Sequence, residues 1–159
     1  MPRKVTVSLE RKVSPDRKYQ SILIQRLINK SMQSGKKLAA ERAVYSALEG
    51  AAKKLNSENP VELFERALKN ISPNFEVKSR RVGGANYQIP FPITGHRQIH
   101  FAFSWLVGAA RERSGMPYAK RLELEIVDAY NETGAAFKKK EDTHRMAEAN
   151  RAFAHFART

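Results

Sequence analysis

Apolar positions recur along this chain at helical spacing in six stretches and at strand spacing in one. Ile24, Leu27 and Ile28 mark a first helix from Lys18 to Ser34, with Gly35 as its stop and Ser14-Pro15-Asp16 as either its start or the turn before it. Ala40, Ala43, Val44, Ala47, Leu48 and Ala51 form a stripe of small residues on a second helix ending near Leu55, narrow enough for another helix to approach closely. Asn59-Pro60-Val61-Glu62 opens a third: Asn59 caps, Pro60 sits where no amide is needed, and Glu62 reaches back to the cap amide. Phe64, Leu68 and Ile71 face inward, and Ser72-Pro73 ends the element. Thr94 is the expected cap of a fourth helix, whose broad apolar face (Ile99, Phe101, Phe103, Trp105, Leu106, Val107, Ala110) places it centrally. Tyr118, Leu122, Ile126, Ala129 and Tyr130 mark a fifth, broken at Gly134, and Met146, Ala149, Phe153 and Phe156 a sixth.

Between the third and fourth helices the period changes to two. Phe75, Val77 and Ser79 alternate with Glu76, Lys78 and Arg80, and Ala85, Tyr87 and Ile89 alternate with Asn86 and Gln88. Gly83-Gly84 supplies the positive φ angles of a tight turn, so residues 75–90 read as a hairpin with Arg80 and Arg81 at its tip. Pro90 and Pro92 are expected to end its ladder.

Charge changes the picture from a generic helical domain to a partner of polyanions. Lys plus Arg number 29 against 16 Asp plus Glu, a formal charge of +13 in 159 residues. Positions 1–40 carry ten bases and two acids, 41–75 five of each, 76–115 six bases and two acids, and 116–159 eight and seven. Residues 1–13 read as a basic flexible arm that orders on a partner, and 14–159 as a single domain. Cysteine is absent, which excludes disulfides and thiolate metal sites and suits a reducing cytosol. No apolar run approaches a membrane span, and Arg3 and Lys4 are followed by no apolar stretch of the secretory type.

Catalytic patterns are missing. Gly35-Lys36 lacks the preceding glycine and the following Ser or Thr of a P-loop. His96 and His100 lie at i, i+4 without a glutamate between them or an evident third ligand, so surface or capping roles are expected. Glu141, Asp142, His144 and Glu148 suit solvated ion pairs, Glu141 with Arg145 and Lys138 with Asp142, better than a metal site. No enzyme, cofactor, metal or small-molecule substrate is expected.

The segment Glu76-Val77-Lys78-Ser79-Arg80-Arg81-Val82-Gly83-Gly84-Ala85-Asn86-Tyr87-Gln88-Ile89-Pro90 closely resembles the hairpin of small-subunit ribosomal protein seven, in its bacterial form. The run from Lys138 to His155 resembles the C-terminal helix of the same family, and shorter matches run from Ile28 to Arg111. The resemblance implies a mostly helical single domain of six helices with a protruding β-hairpin between helices three and four. It further implies a structural component of the small subunit that binds the 3′ major domain of small-subunit ribosomal RNA and nucleates head assembly. The hairpin would lie at the subunit interface, near the exit-site transfer RNA and the messenger path. Partners would include small-subunit proteins nine and eleven, in a cytoplasmic or organellar ribosome. By position, Lys78, Arg80, Arg81 and Tyr87 would form the hairpin surface, with Gly83 and Gly84 acting through backbone geometry. Arg3, Lys4, Arg11, Lys12, Lys36 and Lys37 would contact ribosomal RNA, joined by Arg111, Arg113, Lys138 and Arg145. Ser104 departs from the family, which usually has arginine before the helix-four tryptophan, and Lys120 and Leu124 also differ in character.

Independently of the family, a rigid helical body with cations on several elements can recognise folded RNA by shape, with affinity from released counterions. Two readings of Tyr87 stand at this point: stacking on an unpaired base, or packing of the hairpin onto the body. A DNA-bending protein would need an apolar wedge at the tip, where this chain has Arg80, Arg81 and Val82. A membrane-surface protein would need the first helix's apolar stripe to be free of the core.

Overall fold

The computed structural model describes residues 13–157, in the order α1 (Ile22–Ser31), α2 (Lys37–Lys54), α3 (Pro60–Ile71), β1 (Phe75–Val82), β2 (Ala85–Pro92), α4 (His96–Glu112), α5 (Tyr118–Tyr130) and α6 (Gly134–Ala149). A 3-10 helix, Arg151–Ala157, follows. This is the mostly helical single domain with a hairpin between the third and fourth helices that the sequence predicts.

The first helix starts four residues later than its apolar period suggests, and Asp16 is the reason. Its buried carboxylate accepts from the amides of Lys18 (3.0 Å), Tyr19 (2.8 Å) and Ser21 (2.8 Å) and from the Tyr45 hydroxyl of α2 (3.1 Å). A side chain that satisfies the amides of residues 18, 19 and 21 competes with the helical ladder and winds residues 16–20 into a turn. Ser21 then caps α1, accepting from the Ile24 amide. Burial alone would raise the Asp16 pKa, but these hydrogen bonds hold it below its ordinary value. At the other end α1 stops at Ser31, because Met32 turns extended and packs half-buried against the core.

The cap of α3 is as expected in part. Asn59 Oδ1 accepts from the Val61 amide at 3.0 Å, while Glu62 accepts from the Asn59 side-chain amide at 2.8 Å and not from the cap backbone. Thr94 does not cap α4; Gly95, at φ 56°, holds that position. Ile24, Leu48, Phe64, Ile71, Leu106, Leu122 and Ile126 make one continuous core. α4 packs on α1, α3, α5 and α6, and α5 on α2, α3, α4 and α6, so the two share the centre. Leu122 and Ile126 are fully buried there, and truncation of either to alanine costs about 2–5 kcal/mol.

β1 and β2 pair antiparallel from Val82↔Ala85 at the turn to Phe75↔Pro92 at the base. Gly83 and Gly84 have φ of 57° and 92°, the double-positive combination of a type I′ turn. The ladder continues past both prolines, contrary to expectation. Counting from the turn, Pro90 and Pro92 fall in non-hydrogen-bonded pairs, where a missing N–H removes nothing from the ladder. Pairing resumes beyond them, with the Ile93 amide donating to the Asn74 carbonyl at 3.0 Å.

The hairpin also reverses the expected facing of its base. Glu76 is buried and Phe75 is exposed, because α4 supplies Arg97, whose Nε and Nη2 lie 2.7 and 2.6 Å from the Glu76 carboxylate. Glu76 thus shares a face with Ile89 and Phe91, while Phe75 meets the His144 ring edge-on. The sixth helix is displaced too: Met146 and Ala149 face outward, Ala136 and Ala147 are buried, and Phe153 lies on the 3-10 helix against the hairpin.

Candidate nucleic-acid interface

Arg3, Lys4, Arg11 and Lys12 lie outside the described residues. The remaining expected RNA contacts divide by what their charges touch. At the hairpin tip Arg80 and Arg81 are exposed, opposite Tyr87 and Asn86 respectively. Lys78, lower on β1, ends on Glu76 at 2.7 Å and lies 5.0 Å from the Phe91 ring, half its side chain still exposed. Arg97 and Lys78 together hold the Glu76 pKa below its ordinary value, although burial alone would raise it. Tyr87 is half-buried with its ring 5.0 Å from Phe153, so the hairpin packs on the 3-10 helix through it.

At the α1–α2 corner Ser34 and Gly35 take positive φ, and Lys36 and Lys37 follow as the cap and first residue of α2, both exposed. Arg111, in the last turn of α4, extends Nη2 towards the carbonyls of Lys30 and Ser31 (3.5 and 3.4 Å), which brings α4 to the same corner. Arg113, two residues on, points inward. Its Nε and Nη2 lie 2.9 and 2.6 Å from Oε2 of Glu125, a fully buried carboxylate, and Nη2 also reaches Asp128. Glu125 Oε1 accepts the Ala136 amide at 2.9 Å, so the ion pair ties α4, α5 and α6 together.

On α6 Lys138 and Arg145 are exposed. Arg145 pairs with Asp142 at 3.7 Å, and neither expected pair, Glu141 with Arg145 or Lys138 with Asp142, forms. Lys139 instead meets Glu112 of α4 at 3.0 Å, and Lys140 donates to the Asn70 carbonyl at 2.6 Å.

Two basic concavities are absent from the sequence reading. One, of about 370 Å³ between α1 and α4, is lined by Arg26, Lys30, His96 and His100. Arg26 with Lys30 and His96 with His100 are i, i+4 pairs, so each helix face was visible in sequence, but their apposition depends on the α1–α4 contact. The other, of about 450 Å³, joins Lys36 and Arg111 with Tyr118 and Arg121 of α5. No group of His, Asp and Glu suited to a metal, and no helix long and apolar enough to cross a membrane, occurs among the described residues.

This arrangement can grip a polyanion at several points of one folded body. The chain matches the family described as ribosomal protein S7p/S5e over residues 2–151. It is 52% identical over 158 residues to small ribosomal subunit protein uS7 of Chloroflexus aggregans, covering 99% of each chain. It is 53% identical over 156 residues to uS7 of Thermomicrobium roseum, and 54% identical over 160 residues to uS7 of a Hydrogenobaculum species, covering 98% of this chain and 99% of each relative. With its mostly helical body, paired hairpin and surplus of outward cations, this chain belongs to the ribosomal protein S7p/S5e family, a family of structural ribosomal proteins and not of enzymes.

Proposed function

We propose that this protein is a primary binder of the 3′ major domain of small-subunit ribosomal RNA and nucleates assembly of the subunit head in the cytoplasm. The observation that carries this reading is the partition of cations. Arg26, Lys30, Lys36 and Arg111 gather along α1, the α1–α2 corner and the end of α4, and none of them forms an ion pair with a carboxylate among the described residues. A helical body bearing such clefts recognises RNA by the placement of its phosphates. Arg3, Lys4, Arg11 and Lys12 extend the footprint, and Lys37, Lys138 and Arg145 add phosphate contacts at its margin. Arg113 is committed to Glu125, so its part in the interface is to position α4 and α5.

The hairpin serves a different partner. Arg80 and Arg81 stand at the end of a ladder anchored at its base by Glu76 and along β2 by the 3-10 helix. That construction fixes the hairpin and leaves Arg80, Arg81, Gly83 and Gly84 exposed at its tip, as a contact to exit-site transfer RNA and messenger at the subunit interface requires. Small-subunit proteins nine and eleven are the proposed protein neighbours.

The test is binding of the purified protein to a 3′ major domain fragment, against unrelated structured RNA of equal length and duplex DNA at near-physiological salt. A preference on the order of 10³ or more for the fragment supports the reading, and equal affinity for all three reduces the binding to charge alone.

A further inference from the structure

We propose that the cleft between the α1–α2 corner and the start of α5 is a socket for one phosphodiester group of the RNA backbone, with the Arg121 guanidinium as its principal donor. The proposal rests on the ribosomal RNA reading above and adds to it a site and a residue. The cleft is lined by Ser31, Lys36, Arg111, Tyr118 and Arg121 and by small side chains of α2, with no carboxylate among them. Several cations elsewhere end on acids: Lys54 and Lys120 on Glu123, Lys78 and Arg97 on Glu76, Arg113 on Glu125 and Asp128. Lys36, Arg111 and Arg121 form no ion pair among the described residues. Three like charges in one concavity raise its potential, and a bound anion relieves that repulsion.

Arg121 is held from two sides. Its Nη1 donates to the carbonyls of Arg111 (3.1 Å) and Arg113 (2.6 Å), and its guanidinium carbon lies 5.9 Å from the Tyr118 ring centre. Tyr118 in turn donates to Ser31 Oγ at 2.9 Å. The group is therefore braced in place on both sides. Yet its Nε is buried and meets no acceptor among the described residues. A buried donor without a partner is rare in folded proteins. The Nε–Nη2 edge is the one that Arg113 places on the Glu125 carboxylate, and it matches two oxygens of a phosphate equally well. The first turn of α2, which has no side-chain cap, opens on the same cleft, and its dipole favours negative charge there.

A phosphodiester and a free phosphate share this chemistry, so the experiment separates them. The full-length protein, Arg121→Gln, Lys36→Gln and the comparison variant Lys53→Gln, an exposed cation near the far end of α2, are titrated with the 3′ major domain fragment across a salt series. Circular dichroism reports the fold, and if Arg121→Gln unfolds through loss of its carbonyl bonds, Lys36→Gln carries the test. Each folded cleft variant should lose about 10-fold in affinity near physiological salt and about one unit of the log–log salt slope, with Lys53→Gln close to the parent. In nitrogen-edited spectra of the parent, the Arg121 Nε–H signal should shift with the RNA and stay in place with inorganic phosphate at the same low concentration. Unchanged affinity and slope in folded cleft variants, or an equal loss in Lys53→Gln, overturns the socket while leaving ribosomal RNA binding intact. A signal moved by inorganic phosphate but not by RNA makes it a free-anion site and overturns the phosphodiester assignment. A parent protein with no preference for the fragment overturns the ribosomal RNA reading itself.

Discussion

Truncating Glu125 to alanine should be among the most damaging single changes in this protein. The carboxylate is 0% exposed, takes two bonds from Arg113 at 2.9 and 2.6 Å, and accepts the Ala136 amide at 2.9 Å where α6 begins. Alanine removes all three at once. Breaking a buried ion pair by deleting one partner costs about 3–5 kcal/mol, and stranding a buried amide costs about 1–3 kcal/mol. These losses overlap, and Asp128 still answers part of the Arg113 charge, so the expected total is about 3–5 kcal/mol. For a chain of this size that is roughly 6–20 °C in Tm. Urea denaturation followed by circular dichroism, with an unchanged m-value, is the assay. Replacing both partners, Arg113→Met with Glu125→Leu, should recover the part of the loss that comes from the uncompensated charge, while the Ala136 amide stays without its acceptor. The double variant should also bind ribosomal RNA like the parent. A loss below about 1 kcal/mol in Glu125→Ala, on the scale of an exposed ion pair, would refute the structural role assigned to this pair. A refolded double variant that loses RNA affinity would return Arg113 to the interface.

Gly50→Ala should destabilise by about 1 kcal/mol in the same assay despite alanine's better helix propensity, because its Cβ would lie 2.3 Å from Oε2 of Glu123, which Lys54 and Lys120 hold in place; a gain in stability would contradict that packing. Asp16 has a folded pKa below its unfolded value of 3.8, so its contribution is present above about pH 4 and is lost as pH falls through the folded value; Asp16→Asn should lower stability at pH 7 and flatten its decline in acid, and an unchanged acid limb would count against it. His144 accepts the Asn74 amide at 3.0 Å as neutral imidazole, and burial, then nearby Lys140, depresses its pKa below 6.5. Its contribution is full above pH 6.5 and falls as pH drops towards the folded value, so hydrogen exchange at Asn74, corrected for intrinsic rate, should quicken at pH 5 relative to pH 7.5; equal protection would exclude this anchor. Arg80→Ala with Arg81→Ala should leave helical content and binding of the isolated RNA fragment within about 2-fold while impairing translation by reconstituted subunits; a collapsed circular dichroism signal would show that the tip supports the fold.

Helix existence and order were legible because each core stripe is local: Ala40 to Ala51 and Leu122 to Ala129 carry their periodicity within single elements. Boundaries were less so where a side chain competes with the backbone ladder, as Asp16 does before α1, or where a glycine replaces the expected cap, as Gly95 does for Thr94. The hairpin and its Gly83-Gly84 turn were readable, but the burial of Glu76 was not, since it depends on Arg97, which lies 21 positions away. The site shows the same division. Exposed cations at the tip and corner follow from local sequence, whereas the inward turn of Arg113 and the convergence of Arg121 with Lys36 require the assembled helices.

Several of the acids on this molecule are consumed in holding it together. Glu76 anchors the hairpin, Glu123 joins α2 to α5, Glu125 joins α4, α5 and α6, and Glu112 receives Lys139 of α6. Each therefore neutralises a base that bridges secondary-structure elements. Arg26, Lys30, Lys36, Arg111 and Arg121 form no such pair among the described residues, and they line concavities rather than scattering over convex surface. A chain selected only for solubility has no reason to gather unpaired cations in two clefts. A chain that must fold as a rigid unit and then grip phosphates at fixed positions does: the first requirement calls for cations matched internally, and the second for cations left to the RNA.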